Sequence, residues 1–155
     1  MAAEPLKLLP TVVDAGPGAI ARQITINAPR EMVFSYFTDP AKHVRWQGKT
    51  VDIDPRPGGR LRIDFGPGWT VVGRYLEVDP PRRLVYTWGW AEEGSSLVPP
   101  GSSTVEVELE AIGDATVVRV VHNGLPEESF SFHGDGWDEG LTGLRAALAT
   151  LAAGS

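Results

Sequence analysis

The stretch WTVVGRYLEVDPPRRLVYTWGW, residues 69–90, decides the reading of this chain. Two runs rich in β-branched and aromatic residues, 70–78 and 83–90, flank Asp79-Pro80-Pro81-Arg82. Proline fixes φ and has no amide donor, so a Pro-Pro pair between such runs predicts a turn, and the runs themselves a hairpin. Period-two alternation puts Leu84, Tyr86, Trp88 and Trp90 on one face of the second strand and Val85, Thr87 and Gly89 on the other. One face is then a ladder of large rings, fit to line either a core or a cavity.

Before the hairpin, residues 19–27 place Ile20, Ile24 and Ile26 on alternate positions with Arg22 interrupting, as in a strand with one wet face. Ala28-Pro29 leads into a helical segment, 30–38, with Val33, Phe34 and Phe37 clustered on one side, and Asp39-Pro40 into a second short helix, 41–46. Two further strands are expected at 49–54 and 60–65. Residues 1–18, with three prolines and two glycines among scattered apolar residues, read as a flexible arm ahead of one domain over 19–153.

After the hairpin, residues 91–100 form a loop long enough to be a lid. Val105, Val107, Leu109 and Ala111 alternate with Thr104, Glu106, Glu108 and Glu110, which predicts a strand with one face in solvent. Gly113-Asp114 turns the chain into 116–123, where an inward register of Val118 and Val120 keeps Arg119 in water and places His122 at the inner end. Trp137, Leu141, Leu144, Leu148 and Leu151 then follow helical spacing, predicting an amphipathic helix over 136–152. Gly140, Gly143 and Ala147 make a neighbouring stripe without bulk, read as close packing.

The bulk numbers narrow the classes. A chain of 155 residues suits one domain with its own core. Its 20 acidic against 14 basic residues, a net charge of −6, argue against nucleic acid or an anionic membrane surface as partner. The absence of cysteine excludes disulfides and thiolate chemistry and fits a cytoplasmic location. No apolar run approaches the ~18 residues of a membrane span. The 18 glycines and 13 prolines point to a sheet protein rich in turns.

The expected order is one strand, two short helices, six antiparallel strands and a long final helix, an α+β plan with about seven strands. It resembles the START-like helix-grip fold, the SRPBCC or Bet v 1-like superfamily, and within it the branch named after activators of the heat-shock protein 90 ATPase. The resemblance rests on Ile24-Thr25-Ile26-Asn27-Ala28-Pro29 with Val33, Phe34 and Phe37, on Trp46, and on Pro57-Gly58-Gly59-Arg60-Leu61-Arg62. It continues through Gly73 to Pro81, Leu84-Val85-Tyr86-Thr87-Trp88, Thr116 to Gly124 and Gly136-Trp137 to Leu144. The resemblance implies a curved sheet gripping the last helix around a cavity that is often apolar. Relatives bind lipids, polyketides or hormones, act as cyclases, or confer antibiotic self-resistance. Chaperone activation belongs mainly to eukaryotic relatives with a further domain and is not expected here.

Within that frame the candidate ligand-binding residues are Phe34, Phe37, Trp46, Phe65, Trp69, Tyr86, Trp88, Trp90, His122, Phe132, Trp137 and Leu141. Five tryptophans fill a core awkwardly because each indole N–H wants a partner, whereas flat rings with a few polar tips suit an aromatic ligand. The set fits either role, with Trp69, Trp88 and Trp90 foremost. His122, with Tyr86, is the candidate for proton transfer, against a reading in which it is merely satisfied by a neighbour. His133, beside Ser131 and Asp135, reads either as orienting a ligand or as merely preceding the helix, with the second favoured, and His43 reads as surface. The isolated histidines argue against a metal site, and neither Gly-x-Ser-x-Gly nor a dinucleotide loop occurs. No cofactor is expected.

The leading expectation is therefore a non-enzymatic binder of a hydrophobic or aromatic small molecule. A cyclase or aromatase-like enzyme and a protein-interaction module are the alternatives, and the sequence leaves room for a homodimer.

Overall fold

The computed structural model describes residues 9–91 and 97–153. In chain order the strands and helices are β1 (Thr11–Val13), β2 (Ala19–Ile26), α1 (Arg30–Thr38), α2 (Pro40–His43), β3 (Thr50–Ile53), β4 (Arg60–Asp64), β5 (Thr70–Asp79), β6 (Arg83–Trp90), β7 (Ser103–Ile112), β8 (Ala115–Asn123) and α3 (Phe130–Ala153). The strands form one antiparallel sheet in the order β1-β2-β8-β7-β6-β5-β4-β3. Curved against the long C-terminal helix, this is the helix-grip arrangement.

The hairpin lies where the Pro-Pro turn predicts it, with Val78 opposite Leu84 and Val71 opposite Trp90. A bulge between Tyr75 and Glu77 breaks the register and adds local bend and twist to the sheet. Alternation holds along most of β7 and on β8, where Val105, Val107, Val118, Val120 and His122 are buried, while on β6 Val85 and Gly89 of the other face are buried along with Leu84, Tyr86, Trp88 and Trp90. On β2, Arg22 shares the face of Ile24 and Ile26 and meets Asp138 of α3 at 2.8 Å. That ion pair ties strand to helix at the one polar position of the stripe.

The structure departs from several expectations. The sheet has eight strands, because Thr11, Val12 and Val13 in the expected arm pair with Gln23, Arg22 and Ala21. Three consecutive β-branched residues favour that pairing, and the surrounding prolines and glycines hide it. Helix α3 begins six residues early, at Phe130, after a 3-10 turn at Glu127–Ser129. Ser129 closes that turn, its amide and its hydroxyl both donating to the Pro126 carbonyl at 2.9 Å. Gly134, ahead of the expected start, is helical, and His133 is on the helix rather than before it.

Helix α2 is shorter than expected, ending at His43, with the Asp39 carboxylate accepting from the Ala41 amide at 3.0 Å. His43 is buried, not on the surface. It stacks on Trp46 at 4.9 Å and 7° and meets the Gln47 side-chain oxygen at 2.7 Å.

Of the expected lid, residues 92–96 lie outside the described residues. Its far end returns to the sheet, where the Val98 carbonyl accepts from the Trp90 amide at 2.8 Å and the Val98 side chain is buried. Among the described residues no helix is long and apolar enough to cross a membrane.

Candidate functional site

Helix α3, the open end of the β5–β6 hairpin and the segment after α2 enclose a cavity of about 410 Å³. The β4–β5 connection supplies Phe65 and Trp69, β6 supplies Trp88 and Trp90, and the chain after α2 supplies Trp46, Gln47 and Gly48. Helix α3 contributes Phe132, His133, Asp135, Gly136, Trp137, Glu139 and Gly140. Alternation aims Trp88 and Trp90 inward together. Gly89 between them lies under the loop, where a Cβ would come within 2.2 Å of the Pro99 carbonyl oxygen.

The rings meet at steep angles, which leaves faces for a guest. Trp88 and Trp90 cross at 5.9 Å and 89°, and Trp69 meets Trp90 at 5.6 Å and 90°. Trp69 and Phe132 contact each other at 5.5 Å and are each about half exposed, at 51% and 50%, so they form the mouth. Trp88 and Trp137 are buried and form the inner end. On the helix, Gly140 and Gly143 face Trp46. A Cβ at Gly140 would lie 3.4 Å from its ring, and one at Gly143 3.5 Å from its carbonyl oxygen.

The indole N–H groups settle the polar chemistry. Trp46 donates to the Tyr36 carbonyl at 2.8 Å, Trp90 to His133 Nε2 at 3.1 Å and Trp137 to His122 Nδ1 at 3.0 Å. Trp88 is the exception: its N–H is buried and has no partner. Leaving a buried donor unpaired costs about 1–3 kcal/mol, so this group needs an explanation.

The hydrogen bonds assign both imidazoles. Ser103 gives its only proton to the Trp88 carbonyl at 2.7 Å, so its oxygen accepts from His122 Nε2–H at 2.9 Å. His122 Nδ1 is then the acceptor for Trp137. His133 Nδ1–H donates to the Ser129 carbonyl at 2.9 Å, leaving Nε2 to accept from Trp90. Both rings are neutral. Burial, reinforced by the facing His133, holds His122 well below the usual histidine range. Burial also lowers His133, against the Ser129 carbonyl that favours its charged form.

Of the residues predicted for the site, Trp46, Phe65, Trp69, Trp88, Trp90, Phe132 and Trp137 line the cavity. Phe34, Phe37 and Leu141 belong to the hydrophobic core instead. His122 lies behind the wall, its ring 5.3 Å from that of Trp88. Tyr86 is in the core against Tyr75 at 5.8 Å, and burial raises both phenols, whose hydroxyls have no partner. Gln47, Asp135 and Glu139 are side chains that sequence reasoning did not place there, and His133, which it weighed as a ligand contact and set second, lines the cavity as well. Once the helix is started at Phe130, spacings of four link Phe132, Gly136 and Gly140, and likewise Asp135 and Glu139, which was the available signal. Among the described residues no three of His, Cys, Asp and Glu converge as metal ligands would.

Comparison with known proteins places this geometry. The profile of a family described as activator of Hsp90 ATPase homolog 1-like proteins matches residues 27–149. An uncharacterized protein of Schizosaccharomyces pombe is 26% identical over 108 residues, which are 69% of this chain but only 30% of that relative's length. Among solved structures, CalU16 from Micromonospora echinospora is 27% identical at a TM-score of 0.70, over 89% of this chain and 83% of that one. DynU16, of the dynemicin biosynthetic locus, reaches a TM-score of 0.75 at 23% identity, over 87% of this chain and 48% of its own, a likeness of fold alone. With most of its length matched, the chain belongs to the family of activator of Hsp90 ATPase homolog 1-like proteins.

Proposed function

We propose that this chain binds a hydrophobic, aromatic small molecule in the cavity between β6 and α3 and carries or sequesters it. The observation that carries the reading is an aromatic-walled cavity of about 410 Å³ with a buried, unpartnered Trp88 N–H in its wall. Ligand sites are commonly apolar hollows of about 300–1,000 Å³ with few placed polar groups. Burying some 200 Å² of apolar ligand surface contributes about 5 kcal/mol at 25 cal/mol per Å². The rings supply that burial, and the unpartnered Trp88 N–H orients the guest.

Secondary metabolites are the class to test first, because a protein of the same fold comes from the dynemicin biosynthetic locus. Sequestering such a compound in the cytoplasm would confer self-resistance. The cyclase-like alternative lacks a free imidazole at the cavity: His122 is outside the lining, and the acceptor nitrogens of His122 and His133 both hold indole protons. An interaction module would present an apolar patch elsewhere. Trp69 and Phe132 belong to the cavity mouth, while Leu9, Val12, Leu76, Leu97 and Ile112 are distributed over several segments.

Titration of intrinsic tryptophan fluorescence with a panel of polycyclic aromatics tests the reading. We expect saturable quenching that Trp69→Ala weakens about tenfold, the loss of one large ring contact. Absence of saturable quenching across the panel would sink it.

A further inference from the structure

The cavity wall is aromatic, but its charge is all of one sign. Asp135 and Glu139 line it one helical turn apart on α3, and among the described residues its lining includes no Lys or Arg. Both carboxylates are exposed, and among the described residues neither has an ion-pair partner. Asp138, between them in sequence, is neutralised by Arg22 at 2.8 Å. Lys49 follows Gly48 in sequence but holds its ammonium beside Gly66, outside the lining. Like charges four residues apart are unfavourable on a helix. Neither acid lies in the first turn of α3, where the helix dipole would offset it.

A second observation lies at the other end of the cavity. Trp88, 4% exposed, is the one buried tryptophan of the wall whose N–H has no partner, whereas the exposed Asp135 and Glu139 carboxylates lie toward solvent. Between them stand Trp69, Trp90 and Phe132, whose ring faces attract cations.

We propose that the ligand is cationic: a flat aromatic body with a protonated or quaternary amine at the mouth and a hydrogen-bond acceptor at its inner end. The amine lies beside Asp135 and Glu139 and against the rings of Trp69 and Phe132, and the acceptor takes the Trp88 N–H. This rests on the reading of the cavity as a binding site and specifies the chemical class of its guest. It also orients the guest, because charge and acceptor must sit at opposite ends.

The test is a calorimetric titration of the whole chain with pyrenemethylamine and with pyrenemethanol at neutral pH and low salt. The two probes share one aromatic body and differ in charge. We expect the amine to bind about tenfold more tightly, as two exposed carboxylates and cation–π contact would give. Added salt shrinks that preference. The double variant Asp135→Asn/Glu139→Gln abolishes it, and each single substitution removes part of it. Glu110→Gln/Asp114→Asn, on the exposed β7–β8 hairpin, changes net charge equally far from the cavity and retains it.

Equal affinity for the two probes overturns the cationic ligand and leaves the binding site standing. A preference that survives in Asp135→Asn/Glu139→Gln, or that vanishes equally in the hairpin control, overturns the role of these two carboxylates. If neither probe binds, the cavity reading falls and this inference with it.

Discussion

His122 and His133 each accept an indole N–H on one ring nitrogen and donate from the other, so together they orient Trp137 and Trp90 at the cavity wall. The arrangement requires neutral rings, since a proton on His122 Nδ1 would face the Trp137 N–H. Replacing His122 with Phe removes the acceptor for Trp137 and leaves that buried donor unpaired. We expect a loss of about 2–4 kcal/mol in urea unfolding. His122→Gln, which can both donate and accept, should lose less, and equal losses would contradict the hydrogen-bond account. His43 makes the same point about charge. Burial lowers its pKa to about 4 from 6.5, opposed by its Gln47 contact. The unfolded chain therefore takes up this proton first as pH falls. The stabilisation is intact above pH 6.5 and is lost as pH falls toward 4, a change of roughly 3 kcal/mol at 1.36 kcal/mol per unit. Unfolding free energies of wild type and His43→Phe across that range should diverge in slope, and parallel profiles would refute it.

At the scale of elements, glycine marks where backbones crowd and where they do not. A methyl at Gly143 on α3 would make only ordinary contacts with Trp46, the nearest at 3.5 Å. Gly143→Ala should then stabilise the helix by about 0.5–1 kcal/mol, the usual gain in a helix interior. Gly73 on β5 is the opposite case, because a Cβ there would come within 1.9 Å of the Thr87 carbonyl oxygen. Gly73→Ala should cost about 1–3 kcal/mol or more, and thermal melts of the two variants should move in opposite directions. The same contrast shows what sequence conveys. Alternation along 84–90 and 116–123 identifies inward faces, because a strand has only two. It does not carry depth along the strand; only nearness to the strand end set Trp88 ahead of Tyr86, and only Trp88 reaches the cavity. His43 looks like a surface residue between Lys42 and Arg45, yet Phe37 and Trp46 enclose it through contacts that no local pattern records. The start of α3 was obscured by Gly134, just ahead of the expected start at residue 136. Asp135 was obscured with it, and the face it shares with Glu139 exists only once the helix is continued back past that glycine.

For the whole molecule, the order of strands was legible because every connection between neighbouring strands from β3 to β8 is sequential, and antiparallel neighbours of that kind follow from turns alone. The long-range pairing of β2 with β8 carries no local signal; it is required to join the first major strand to the meander. Strand β1 adds one more consequence. It covers residues 21–23 of β2, three positions of an eight-residue strand that would otherwise present its unpaired amides and carbonyls outward. Short terminal strands of this kind guard sheets against association between copies. Removing residues 1–13 should therefore leave the cavity intact but promote self-association, seen as light scattering that rises with concentration. A truncated chain that stays monomeric and keeps its solubility would show that β1 has no protective role. If the prediction holds, the segment that reads as a loose arm is this protein's safeguard against aggregation.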